Sequence, residues 1–141
     1  MISWSSTTDH NREMPIVLAK IVLWISAIAF IGYGLVCLVS PDIPAGYAGL
    51  ALTNGDAIAE IGAMYGGLQL GFGLYCLLGA VNSTLERPAL GLLVMCIGAV
   101  GLSRLAWTLM EVAPVGDYTY GAMAFELTLA ILAALALRKH K

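Results

Sequence analysis

The stretch EIGAMYGGLQLGFG, residues 60–73, sets five glycines, a glutamate, a tyrosine and a glutamine into an otherwise apolar run. In water each glycine would weaken a helix by roughly 1 kcal/mol relative to alanine, and in lipid a carboxylate is costly. Both features make sense together in a transmembrane helix that other helices approach closely. There small residues let backbones meet, and a charge finds a partner on a neighbour.

The surrounding chain has the composition of a membrane protein. Of its 141 residues, 60% are hydrophobic and 11% charged, against about 25% charged in soluble domains. Mean hydropathy is +0.86. A net charge of −2 gives no electrostatic footing for nucleic acid. Four segments are long and apolar enough to span a hydrocarbon core as helices, near residues 16–39, 57–81, 89–110 and 119–137. The expected fold is therefore all-α, a single four-helix membrane domain over residues 16–141 behind a polar tail at 1–15. Pro15 suits a helix start. The segment SPDIPAGYAGLALTNGD, residues 40–56, reads as non-helical because of its prolines and glycines. NSTLERP and EVAPVGDY read as the other two turns.

Arg12, Lys20, Arg87, Arg138, Lys139 and Lys141 all fall on one side of this topology, and the opposite loops carry Asp42, Asp56, Glu111 and Asp117 without a lysine or arginine. The positive-inside rule then makes both termini cytoplasmic, with the first helix retained rather than cleaved as a signal. The expected location is a bacterial inner membrane, multi-pass. Trp107, Tyr118 and Tyr120 are placed as interfacial anchors.

At 100° per residue, Gly67 and Gly71 fall within about 20° of Glu60, while Gly62, Gly66, Gln69 and Gly73 cluster about 180–240° away. Two small-residue faces make span two the expected central helix, with Gly62, Gly66, Gly67, Gly71 and Gly73 as packing positions. A homo-oligomer contact through one of those faces is the alternative.

Rises of 1.5 Å per residue put Glu60, Arg104 and Glu126 about 5, 9 and 10 Å below the outer ends of their helices. One guanidinium has enough donors for two carboxylates, so a Glu60–Arg104–Glu126 network is expected, either stapling three helices or forming a binding site. The remaining alternative has Glu60 alone at the interface. Tyr65 and Gln69, one turn apart, are candidates for a polar lining beneath it.

The sequence offers no nucleophile–base pair, phosphate loop or metal-ligand set. His10 and His140 lie in the tails, and Cys37, Cys76 and Cys96 lie in apolar spans without a C-x-x-C. The expectation is a non-enzyme with no metal and no cofactor. Its partners would be the lipid bilayer and a second copy or another membrane subunit. Its role would be a structural or accessory subunit, or alternatively binding or transport of a lipid, quinone or other small amphiphile at an outward-facing polar cavity. Residues 40–56 are either a lid or a simple connector.

EIGAMYGGLQLGFG, SRLAW at 103–107 and FELTLAILAALALRK at 125–139 resemble an uncharacterised bacterial four-helix membrane family, one of the numbered domain-of-unknown-function groups and distantly DoxX-like. The resemblance covers roughly residues 16–139. It implies the same bundle and groups Glu60, Tyr65, Gln69, Arg104 and Glu126 as positions that matter together. Members often carry a basic residue two positions after the glutamate, where this chain has Gly62. The resemblance implies no activity.

Overall fold

The computed structural model describes the backbone of residues 6–139 and the side chains of residues 17–138. The side chains of His10, Arg12, Lys139, His140 and Lys141 lie outside that range. Five helices follow in order: α1 (Ser6–Val39), α2 (Asp42–Ala48), α3 (Gly55–Val81), α4 (Ser83–Met110) and α5 (Asp117–Lys139). No strand occurs among the described residues. All but α2 are long and apolar enough to cross a membrane. The four long helices run alternately up and down, so one half of the bundle carries the start of α1 and the end of α5 and the other carries α2 and the 111–116 loop. These are called the terminal half and the loop half below.

Three boundaries differ from the sequence reading. α1 starts at Ser6, so Pro15 lies inside it rather than at its start. The 40–56 segment is not wholly irregular, because α2 forms within it. Pro41 caps α2, and Pro44 sits in its first turn, where a missing N–H removes no helical bond. Gly49 then stops the helix at φ 68°, a left-handed conformation suited to glycine. The turn between α3 and α4 is also far shorter than NSTLERP. Only Asn82 leaves the helical conformation (φ −122°, ψ 112°), and its side chain caps α4 by accepting from Thr84 N–H at 3.0 Å.

α3 packs on α1 from Gly62 to Val81, and α5 packs on α4 and α1. Contact between α3 and α4 is concentrated beside Asn82, where Leu68–Val81 meets Ser83–Leu92. The core follows this asymmetry. Ala19, Leu23, Cys76, Ala89, Leu90, Leu93 and Ala133, all deeply buried, lie in the terminal half. Glycines set the helix spacing. A Cβ on Gly34 would stand 2.7 Å from Leu70 N, one on Gly73 2.6 Å from Ile31 N, and one on Gly79 2.5 Å from the Ala89 Cβ. Large apolar side chains such as Ile28, Val39, Met95, Leu102 and Leu109 point outward, the arrangement expected of helices solvated by lipid.

Span two is not the central helix. The apolar window of α1 is 39% buried and that of α3 22%, because α3 has one enclosed face rather than two. Gly66 and Gly73 press on α1, whereas Gly62 and Gly71 have nothing within 4 Å, and Gly67 meets only the Gly62 carbonyl at 3.8 Å. The Gly67–Gly71 face forms the floor of an open groove that reaches Pro88 and Leu92.

Candidate functional site

In the loop half the four long helices enclose a cavity of about 210 Å³. α1, α3 and α5 contribute residues spaced three or four apart, which share one helical face, and α4 contributes one. From α1 come Ala29, Phe30 and Tyr33; from α3, Tyr65 and Gln69; from α4, Arg104; from α5, Tyr118, Ala122, Phe125 and Glu126. Phe30 meets Phe125 edge-to-face, with ring centroids 6.1 Å apart, so the wall is largely aromatic. Tyr65 lies on a π-helical turn, Gly62–Gly67. Such turns insert a residue into a helix and occur often at functional sites.

Arg104 and Glu126 form a two-pronged ion pair. Arg104 Nε donates to Glu126 Oε2 at 3.0 Å, and Nη2 donates to Oε1 at 2.8 Å. Gly101 allows this approach, since a Cβ there would stand 3.2 Å from the Glu126 Cβ. The pair is largely enclosed, with side chains 27% and 12% exposed. A guanidinium has five N–H donors, so three on Arg104 are left for other acceptors. Arg104 also borders a shallower depression on the outer surface of α4, with Ser103, Trp107, Thr108 and Thr119.

Below the pair, Gln69 Oε1 is buried without a hydrogen-bond partner, the one such side-chain oxygen or nitrogen among the described residues. Leaving a buried acceptor unpaired costs about 1–3 kcal/mol. The Tyr65 hydroxyl makes no hydrogen bond among the described residues, whereas the Tyr33 and Tyr118 hydroxyls bond to each other at 3.2 Å. Tyr118 is in turn stacked by Tyr47 of α2 (centroids 6.3 Å apart, 17° between planes). The short helix therefore lies against a residue of the cavity wall.

Glu60 does not join the pair. It is exposed, and among the described residues it has no ion pair. It sits five residues into α3, about 8 Å along the axis, where a carboxylate can keep interfacial water. The π-helical turn that follows also invalidates a projection at uniform 100° steps, because one inserted residue re-aims what lies beyond it by about that angle. The expected three-residue network is thus two residues, with Gln69 and Tyr65 facing the same space.

A second ion pair, in the terminal half, escaped the sequence reading. Lys20 Nζ lies 2.9 Å from Glu86 Oε2 and donates to the Ala80 carbonyl at 2.7 Å. Glu86 is only 5% exposed. The available signal was a lone lysine at the head of span one and a lone glutamate in the turn at the same membrane level. Elsewhere, Cys37, Cys76 and Cys96 carry free thiols. Among the described residues no three His, Cys, Asp or Glu side chains gather where they could share a metal ion.

The fold and site define a class: a small four-span membrane bundle, tightly packed in one half and hollow in the other, where aromatic rings and one ion pair line a cavity. Residues 18–137 match the family described as a domain of unknown function, DUF4345, and the chain belongs to that family. No curated protein and no solved structure matches the chain.

Proposed function

We propose that the protein is a membrane-embedded binding protein for a small amphiphile, held by its head in the loop-half cavity. One observation carries this reading: a buried acceptor, Gln69 Oε1, stands without a partner at a cavity large enough for a ligand. A purely structural bundle would fill that space with side chains, as the terminal half does. The Arg104–Glu126 pair then acts as a fixed polar wall rather than only as a staple. With the basic residues on the terminal side, the positive-inside rule sets both termini in the cytoplasm and the cavity in the outer half of a bacterial inner membrane.

The experiment is mass spectrometry of the protein purified in mild detergent, wild type beside Ala122→Trp, whose indole would occupy the cavity. A stoichiometric amphiphile on the wild type that is missing from the folded variant supports the proposal. An amphiphile retained by both, or no bound molecule on the wild type after amphiphiles are supplied, refutes it.

A further inference from the structure

The composition of the cavity wall narrows the chemistry of the head group; this step rests on the binding reading above. An engineered cavity of about 150 Å³ holds one benzene, so about 210 Å³ accommodates one six-membered ring with a few substituent atoms. Five of the ten lining residues are aromatic: Phe30, Tyr33, Tyr65, Tyr118 and Phe125. Offset and edge-on ring contacts favour a flat aromatic guest over a flexible chain.

Charge and hydrogen bonding point the same way. The only charged lining groups are Arg104 and Glu126, and they are paired with each other. An anionic phosphate approaching Arg104 would meet the carboxylate beside it, so a neutral head is favoured. Gln69 Oε1 requires a donor, and rotation about the soft final torsion of its side chain presents that oxygen to the cavity. The spare Arg104 N–H groups and the Tyr65 hydroxyl offer donors to an oxygen acceptor.

We infer that the head group is of the phenol class: one neutral aromatic ring bearing a hydroxyl that donates to Gln69, and a second oxygen that accepts from Arg104 or Tyr65. Gln69 thereby selects for the hydroxyl, and the aromatic wall selects for the ring.

The test uses the full chain in nanodiscs and three probes titrated by calorimetry. Heptyl 4-hydroxybenzoate has ring, hydroxyl and carbonyl; heptyl 4-methoxybenzoate lacks the donor; a monoacylglycerol of matched chain length lacks the ring. The hydroxybenzoate is expected to bind about tenfold or more tightly than the methyl ether, since the ether leaves the buried acceptor unpaired, and more tightly than the monoacylglycerol. Gln69→Leu should bring hydroxybenzoate and ether to equal affinity while both still bind; Gln69→Met is the second variant should the first fail to fold. Equal binding of hydroxybenzoate and ether by the wild type overturns the inference. So does tighter binding of the monoacylglycerol, an outcome that leaves the amphiphile reading standing. Failure of all three probes, with no amphiphile found by mass spectrometry, removes both.

Discussion

The two ion pairs of this bundle are built from the same chemistry and put to opposite structural use. In the terminal half, Lys20 meets a carboxylate that is only 5% exposed and a helix-terminal carbonyl, beside the buried core of Ala19, Leu23, Ala89 and Leu90. In the loop half, Arg104 meets Glu126 at the edge of a cavity, with three guanidinium donors unspent and an unpaired amide oxygen nearby. A charge surrounded by packing is a fastening. One that borders empty space is available to a ligand. The contrast shows how this chain keeps a hollow region without losing its fold: the rigidity is concentrated at the other end.

The largest expected effect is in the fastening. Glu86→Ala leaves the Lys20 ammonium without its partner, and breaking a buried pair costs about 3–5 kcal/mol. The lower end applies, because the Lys20 side chain keeps 34% of its surface exposed. Denaturant unfolding in detergent measures this, and a loss no greater than that of Glu126→Ala would erase the distinction between the two halves.

Next comes a pair of glycines on α3. Gly79→Ala drives a methyl to 2.5 Å from the Ala89 Cβ, and such overpacking costs about 1–3 kcal/mol. Gly71→Ala meets nothing within 4 Å and should stay within about 0.5 kcal/mol of wild type. Equal losses at both positions would mean that the Gly67–Gly71 groove is closed in the membrane.

A smaller effect of opposite sign is expected at the cavity. Gln69→Leu removes an unpaired polar atom at similar volume and should stabilise the unliganded protein by about 1 kcal/mol, seen as a higher unfolding midpoint. Destabilisation instead would mean that the amide has a structural partner.

The smallest effect lies in the loop after α4. The Ala113 and Val112 N–H groups donate to the Glu111 carboxylate (3.1 and 2.9 Å) and hold its pKa below the usual range. A depressed pKa contributes order that is complete above the unfolded-state value and lost as pH falls through the folded one. Protection of the Val112 and Ala113 amides, measured against their intrinsic exchange rates at each pH, should therefore fall on acidification below the ordinary carboxylate range. A flat protection profile there would remove the effect.

Much of this was legible in the chain. Spans declare themselves by length and hydropathy, and the Arg104–Glu126 pair follows from equal depths on neighbouring helices. α2 was hidden because Pro44 and Gly46 read as breakers, although a proline in a first turn breaks nothing. Glu60 was misplaced because a helical wheel assumes an unbroken α-helix, and the π-helical turn at 62–67 is not written in any residue-type preference. Lys20 and Glu86 were visible singly, but their pairing depends on a turn as short as Asn82. The cavity itself was not readable at all: an unfilled volume is a property of how four helices splay, not of any one stretch.

That one-residue turn at Asn82 also orders biosynthesis. α3 and α4 are joined by a single non-helical residue and form a helical hairpin, and everything the Lys20 fastening requires (Lys20, Ala80 and Glu86) has been synthesised by residue 86. The cavity wall needs Tyr118 to Glu126, which the ribosome adds later. The residues of this contact thus exist before the last helix is made, whereas the terminal core is completed only when α5 brings Leu129, Ala133 and Ala136.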